Sequence, residues 1–228
     1  MDILKHLAVF DPQRVVGRVA VVGVGALGSA LALQLAKLGL KLDLFDHDKI
    51  EPHNIANQVL YGDADVGDYK AIRAADRLLQ LTSTNHHAVT TKVTTKSQIR
   101  GYSAVFVCVD SMEQRSAITR LLFCSGVKWL CEGRMGARGG AAYCMDAEDP
   151  VQMDEYQAEL YPDSDVVVDR AACGTIQSVV STASMAASWM AWLFIQFVMN
   201  DPNRVNEIMF GVSPPVLTSR RFNTSNSV

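Results

Sequence analysis

Three glycines and one later aspartate carry the first chemical signal in this sequence. Gly23, Gly25 and Gly28 follow the apolar run Val19–Val22 as G-x-G-x-x-G, and apolar residues then recur at helical spacing. Between a strand and a helix, such glycines let the backbone approach phosphate oxygens, which the free N–H groups of the helix N-terminus attract. Asp46 lies 18 residues after Gly28, where a carboxylate can hydrogen-bond a ribose. The pattern predicts a nucleotide-binding site.

A long polar loop follows this aspartate. His47–Gly67 covers about 20 residues and contains Asp48, Asn54 and Asn57. A simple dinucleotide-binding domain usually enters its next helix sooner, and loops this long in compact domains are usually functional or disordered. We therefore expect this loop to contribute to the site.

Lys70 lies in the first turn of a helix predicted over Asp68–Leu81. A cation at a helix N-terminus opposes the helix dipole, so the position is locally unfavourable. Two interpretations remain open: a solvated surface lysine, or a lysine that reaches a phosphate.

These elements resemble a known family. GVGALG is followed by Asp46-His-Asp48, by Asn54-Ile-Ala-Asn57-Gln58, by Lys70 in GDYKA and by Asp110 in VFVCVDSMEQR. Their order is similar to that of the ThiF/MoeB/HesA proteins, relatives of the enzymes that activate ubiquitin. The resemblance extends over about residues 15 to 200.

The resemblance implies a function. Members of this family bind ATP and Mg²⁺ and adenylate the C-terminal carboxylate of a small ubiquitin-like or sulfur-carrier protein. By the same resemblance, Lys70 and Asp110 would be catalytic, Lys70 and Asn54 would contact phosphates, Asp46 would hold the ribose and Asp110 would bind Mg²⁺. The implied ATP-binding residues are Gly23, Gly25, Gly28, Asp46, Asp48, Asn54, Asn57 and Lys70.

One position departs from the family pattern. The family has an arginine in N-x-x-R-Q where this sequence has Asn57. An arginine clamps phosphate through charge and paired hydrogen bonds that a neutral amide does not provide. Arg134 and Arg138 are expected in a glycine-rich loop, GRMGARGG, after the fifth strand, and are candidates to replace it at the phosphate or substrate. The alternative is an ordinary solvated turn.

The five cysteines are dispersed. They include no C-x-x-C pair, so a zinc site is not predicted, and their odd number fits a reducing cytoplasm. Cys108, Cys124, Cys131 and Cys144 lie in apolar stretches and are expected to be buried. Cys173 precedes an apolar helix, whose N-terminus lowers a thiol pKa; it is either a nucleophile or a packing residue.

Composition limits the function classes. At 228 residues, 49% hydrophobic and 20% charged, the chain suits a single nucleotide-binding domain, predicted over residues 1–222 with a disordered tail at 223–228. The net charge of −3 argues against nucleic acid. The first residues show no secretory leader, so we expect a cytoplasmic protein.

Two later segments have unusual charge. Residues 146–170 carry nine acids and one base, which indicates either a solvated loop or a segment that covers the carrier's tail. Residues 171–200 carry no charge. This uncharged segment is long enough to span a membrane, although a buried helix is favoured. Ala183, Ala187 and Ala191, together with Trp189 and Trp192, would suit close packing against a second copy, so a homodimer is expected.

The remaining elements alternate as in an α/β protein. The pattern predicts a Rossmann-like, doubly wound sheet that is mainly parallel, with antiparallel strands near the C-terminus. The expected strands after the first are Lys41–Phe45, Ala88–Val93, Ala104–Val109, Val127–Glu132, Ala141–Met145, Arg204–Phe210 and Val216–Phe222, with a helix at Met112–Ser125.

Two alternative functions remain. Asn57 favours a catalytically impaired, ATP-binding scaffold of the same family. The glycine pattern with Asp46 would also suit an NAD-dependent oxidoreductase, but no acid–base group for hydride chemistry is evident, and that function leaves the loop His47–Gly67 unexplained.

Overall fold

The computed structural model describes residues 2–165 and 178–225, which contain one eight-stranded sheet in the order β3-β2-β1-β4-β5-β6-β7-β8. The strands are β1 Arg18–Val22, β2 Leu42–Phe45, β3 His87–Val89, β4 Tyr102–Val107, β5 Trp129–Gly136, β6 Gly139–Asp146, β7 Glu207–Val212 and β8 Pro215–Arg220. The α-helices are α1 Ala26–Lys37, α2 Lys70–Thr82, α3 Lys96–Ile99, α4 Met112–Leu122, α5 Pro150–Gln157 and α6 Val180–Val198.

The strand pairing confirms the predicted fold class. Strands β1 to β5 are parallel, whereas β6, β7 and β8 join antiparallel. β1 pairs with β2 on one side and with β4 on the other, so the chain direction across the sheet reverses at β1. In such sheets ligands bind outside the carboxyl ends of the strands at this switch point. Those ends are Val22 and Val107, which are register partners.

Helices cover both faces of the sheet. On one face, α1, α2 and α6 enclose a core in which Leu31, Leu35 and Phe194 are fully buried. On the other face, Ile118 of α4 and Tyr156 of α5 pack with the apolar residues of the strands. Burial on both faces explains why the parallel strands read as continuous apolar runs.

Helix α6 packs along α1 and over β5 and β6. Ala183, Ala187 and Ala191, predicted to face a second copy, are at most 5% exposed and pack within this chain instead. Trp192 is exposed on the outer side of the helix. The homodimer therefore stays a prediction without this support.

No helix within residues 2–165 and 178–225 has the length and apolarity that crossing a bilayer requires. The apolar stretch 171–200 is described only from residue 178 onward, where it forms α6.

Within residues 146–165, part of the acidic segment forms a helix instead of a solvated loop. Asp149 accepts a hydrogen bond from the Val151 amide and begins α5, and Tyr156 of this helix is completely buried. Near the C-terminus, the Ser225 amide donates to the Asp149 carboxylate and the Asn223 amide to Glu155. The predicted boundary between a domain at residues 1–222 and a disordered tail at residues 223–228 stays a prediction.

Two local expectations are wrong. The stretch GRMGARGG is not a loop, because β5 continues to Gly136 and β6 begins at Gly139, which leaves a two-residue turn. Cys124 is exposed rather than buried. It adopts a positive φ of 53° where the chain turns after α4, so turn geometry outweighs its apolar neighbours.

Candidate functional site

The glycine turn after β1 needs its glycines for different reasons. Gly23 has a φ of +89°, which favours glycine. A Cβ on Gly28 would lie 1.9 Å from the Gly23 carbonyl oxygen, so only glycine lets α1 pack against the turn. A Cβ on Gly25 would meet no atom within 4 Å. Gly25 thus faces open space, where a ligand can approach the backbone.

The N-terminus of α1 is open to an anion. Gly25 is its N-cap residue and provides no capping side chain, and the first turn contains no acid. The first amides of a helix have no partner within the helix. These amides and the helix dipole therefore form an uncapped, positively polarised site at the switch point.

Asp46 connects the end of β2 to the glycine turn. Its Oδ2 accepts a hydrogen bond from the Val24 amide at 2.8 Å, and its Oδ1 accepts one from the Asp48 amide at 2.9 Å. Burial raises the pKa of this carboxyl, and the two backbone hydrogen bonds oppose that rise. Each oxygen keeps a lone pair, so Asp46 is a fixed hydrogen-bond acceptor beside the glycine turn, as the predicted ribose contact requires.

The raised pKa of Asp46 predicts a pH-dependent affinity. A carboxyl with a raised pKa gains its proton at a higher pH than the ordinary 3.8. Binding of adenosine, which has no phosphate to titrate, should therefore weaken as pH falls from 7 to 4.5 in calorimetric titrations. Asp46→Asn should bind about 10- to 100-fold more weakly at pH 7 and lack this slope. If the wild type and Asp46→Asn showed the same dependence of adenosine affinity on pH, Asp46 would not be the ribose acceptor.

Lys70 begins α2 in a buried position. The residue is 8% exposed, so it is not a solvated surface lysine. Its Nζ lies 3.2 Å from Oδ2 of the half-exposed Asp48. The Tyr61 hydroxyl lies 2.8 Å from the Val24 carbonyl oxygen and 3.2 Å from that of Lys70, which places the start of α2 beside the glycine turn. The structure thus brings a buried ammonium to the predicted phosphate site.

The two asparagines of the polar loop have different roles. Asn54 is buried, and its Oδ1 accepts a hydrogen bond from the Glu51 amide at 2.9 Å. It therefore stabilises the loop's own 3₁₀ turn, Pro52–Asn54. Asn57 donates through Nδ2 to the Ser178 hydroxyl, just before α6. The side chain that replaces the family's arginine is thus bound to a distant part of the chain.

Asp110 follows β4 at the carboxyl edge of the sheet. It is exposed, and within the described ranges 2–165 and 178–225 its carboxylate has no hydrogen bond or ion pair. The next residue, Ser111, caps α4 by accepting from the Gln114 amide. This exposed carboxylate lies at the switch point, where a cation could bind.

Sequence reasoning missed a buried network behind Asp110. Arg115 pairs with Glu132 and donates to the carbonyl oxygens of Val109 and Gly133. Glu132 is completely buried and also accepts from Arg134 at 2.8 Å. Since Val109 precedes Asp110, Arg115 fixes the backbone that presents it. The one available signal was a single glutamate inside an apolar strand, which requires a buried partner.

The replacement arginines are not placed as expected. Besides Glu132, Arg134 donates to the Glu159 carbonyl oxygen at 3.0 Å and lies 4.6 Å above the Tyr143 ring, so it is engaged in the fold. Arg138 is exposed in the two-residue turn between β5 and β6. That turn begins after Gly136, which lies four residues beyond Glu132, the register partner of the last residue of β4. Four residues correspond to about 13 Å along the strand.

Cys173 lies outside the described residues. Cys131 and Cys144 are buried as predicted, and Cys108 is partly buried, with a raised thiol pKa because of burial. Among residues 2–165 and 178–225, one group of three potential metal ligands lies within 4.8 Å, Asp46, His47 and Asp48. This group contains no cysteine.

Comparison with known proteins places this arrangement in a family. The ThiF family model matches residues 14–227. Mouse "Adenylyltransferase and sulfurtransferase MOCS3" is 39% identical over 102 residues, or 42% of this chain and 22% of that protein. The Escherichia coli K12 "Molybdopterin-synthase adenylyltransferase" is 32% identical over 128 residues, or 52% of this chain and 50% of the relative. The matched parts are at most half of these relatives.

Solved structures share the fold. The crystal structure of PaaA has a TM-score of 0.72 at 17% identity and covers 92% of this chain and 66% of its own. Escherichia coli MccB with ATP has a TM-score of 0.70 at 14% identity and covers 94% of this chain and 67% of its own. MccB has also been solved in complex with N-formylated MccA. Because the family model covers nearly all of the sequence, this chain belongs to the ThiF family.

Proposed function

We propose that this protein activates the C-terminal carboxylate of a small ubiquitin-like or sulfur-carrier protein by ATP-dependent adenylation. The observation that carries the proposal is the buried Lys70 ammonium, held by Asp48 beside the uncapped N-terminus of α1. Membership of the ThiF family supports it, because the matched relatives are named adenylyltransferases.

The proposed reaction transfers an adenylyl group. A carboxylate oxygen attacks the α-phosphorus of ATP, the bond from that phosphorus to the bridging oxygen breaks, and acyl-adenylate and pyrophosphate result. Anionic carboxylate and phosphates must meet, so the site has to lower their repulsion and hold them in line. In this chain the amides of α1 and the Lys70 ammonium supply the positive charge.

The remaining residues would orient the nucleotide. Asp46 would accept hydrogen bonds from the ribose, while Gly23, Gly25 and Gly28 let the phosphates approach the backbone. Asp48 would hold the Lys70 ammonium, whose Nζ is 3.2 Å away, in position for the leaving phosphates. The hydrogen bonds of the Tyr61 hydroxyl to the carbonyl oxygens of Val24 and Lys70 hold the glycine turn and the start of α2 next to each other.

Asp110 fits a Mg²⁺ ligand. It is exposed at the carboxyl end of the sheet and unpaired within the described part of the chain. Magnesium commonly binds one or two carboxylates together with substrate phosphates. Bound there, the ion would neutralise phosphate charge. Arg115 would hold the backbone next to this ligand, because it binds the Val109 carbonyl.

A catalytically impaired, ATP-binding scaffold is the second candidate. Asn57 replaces the family's arginine and is bound to Ser178, and Arg134 is engaged with Glu132. Neither side chain is free to act as a phosphate clamp. An NAD-dependent oxidoreductase is less well supported, because hydride transfer does not require the buried Lys70. A triphosphate does require such a positive charge.

The partner and setting belong to the same proposal. We infer a homodimer, for which the exposed Met185 and Trp192 on the outer side of α6 would provide apolar contact area. We also infer a cytoplasmic protein that engages neither nucleic acid nor membrane, in line with its net charge of −3.

Calorimetry separates these candidates by ligand. We expect ATP·Mg²⁺ to bind and NAD⁺ not to bind. Asp110→Asn should weaken ATP·Mg²⁺ by about tenfold or more, because a charge-assisted contact is lost. It should leave the affinity for ATP in EDTA unchanged. Binding of NAD⁺ without binding of ATP, or equal loss of both ATP affinities, would contradict the assignment.

A further inference from the structure

Two neighbouring amides in the polar loop each have a buried oxygen without a partner. They are Asn57 Oδ1 and Gln58 Oε1, neither of which accepts a hydrogen bond from any residue that the structure describes. Gln58 is only 7% exposed. Native proteins leave few buried polar atoms unpaired, and each such atom calls for an explanation.

Contacts on either side locate Gln58. Asn57 donates to Ser178, which precedes α6. The Val59 amide donates to Ser29 Oγ at 3.2 Å, in the first turn of α1. Gln58 therefore lies between the start of α1 and the entrance to α6, next to the glycine turn.

The chemistry of the amides selects the ligand. Phosphate oxygens only accept hydrogen bonds, so they cannot satisfy the free acceptors of Asn57 and Gln58. A peptide group donates through N–H, accepts through C=O and carries no charge, and it matches a side-chain amide in either orientation of that amide. The Asn57 side chain itself carries no charge, whereas an arginine at this position would attract phosphate.

We propose that Asn57 and Gln58 bind the main chain of the carrier's tail, next to its C-terminal carboxylate. They would be positioning residues, which align the tail so that the carboxylate reaches the α-phosphorus. This inference rests on the proposed function and deepens it, because it assigns a substrate subsite to the part of the loop that contains Asn57 and Gln58.

The test uses Gln58→Met, which keeps the side-chain length and removes the amide. Because it removes an unpaired buried polar atom, this variant should melt no lower than the wild type. His53→Ala, an exposed position in the same loop, is the matched control. The probe is a small ubiquitin-like protein ending in Gly-Gly, titrated calorimetrically with and without a non-hydrolysable ATP analogue. A second version of the probe carries an ester in place of its last peptide bond.

We expect Gln58→Met to lower the affinity for the carrier by about tenfold and the affinity for the ATP analogue by less than about twofold. On the wild type, the ester probe should bind more weakly than the peptide probe by a similar factor. On Gln58→Met, the two probes should bind with nearly equal affinity, which is the non-additivity that a double-mutant cycle detects for two groups in contact. Unchanged carrier affinity, a loss confined to the ATP analogue, or independent effects of ester and variant would overturn the inference. Failure of the analogue to bind the wild type would instead count against the proposed function, and the titration without nucleotide would still decide the role of Gln58.

Discussion

Replacing Lys70 with alanine should lower the rate of carrier-dependent exchange between ATP and pyrophosphate by at least about 100-fold. One preorganised group that stabilises developing charge commonly contributes two to three orders of magnitude in rate. Lys70 is 8% exposed and lies beside the uncapped start of α1, so water would replace its charge poorly. The measurement is the steady-state exchange of labelled pyrophosphate into ATP.

Arg77→Ala is the matched control for this prediction. Arg77 is a partly exposed cation on the same helix, and its contact with Asp65 is a long ion pair of 3.6 Å. Such pairs contribute little to stability, so the variant should keep nearly full activity. If Lys70→Ala retained more than half of the wild-type rate, Lys70 would not be the phosphate-binding lysine.

Gly28→Ala should be the most destabilising single-methyl change in the glycine turn. The new Cβ would lie 1.9 Å from the Gly23 carbonyl oxygen and 3.2 Å from Cys108 Cβ, and the nearer atom belongs to the backbone. Overpacking against rigid atoms costs about 3 kcal/mol, which for a chain of this size lowers the melting temperature by about 6 to 12 °C.

Gly25→Ala separates packing from binding. Its Cβ would meet no protein atom within 4 Å, but its ψ of −148° lies outside the regions that alanine prefers. Its melting temperature should therefore fall by about 2 to 4 °C, which is less than the fall expected for Gly28→Ala. Its affinity for ATP should nevertheless fall by about tenfold or more, because the methyl group occupies the space of a phosphate. Equal melting temperatures for wild type and Gly28→Ala, or unchanged ATP affinity in Gly25→Ala, would contradict the account of the turn.

The parts of the site that could be predicted from sequence depend on local pattern. Gly23, Gly28 and Asp46 are required by a strand–turn–helix–strand unit whose elements are consecutive in the chain. Continuous apolar runs identified parallel strands buried on both faces. Lys70 was recognisable as a residue that opposes the dipole of its own helix, and its burial beside the turn accounts for that local cost.

The parts that could not be predicted depend on contacts between distant segments. Asn57 meets Ser178 across 121 positions, and no periodicity encodes such a pair. Arg134 was expected in a loop near the phosphates, but β5 extends to Gly136. The Arg134 guanidinium instead binds Glu132, on the face of the sheet that α4 and α5 cover. Tertiary pairing overrode the glycine-rich composition, which alone indicates a turn.

The central claim is that this chain joins ATP to a protein carboxylate, and exchange of labelled pyrophosphate into ATP tests it most directly. Purified protein with Mg²⁺ should catalyse exchange in the presence of a small ubiquitin-like carrier ending in Gly-Gly. The same carrier with its C-terminus amidated should give none, because the attacking carboxylate is absent. Binding of ATP·Mg²⁺ without exchange across a full panel of such carriers would contradict the claim and identify the protein as a scaffold.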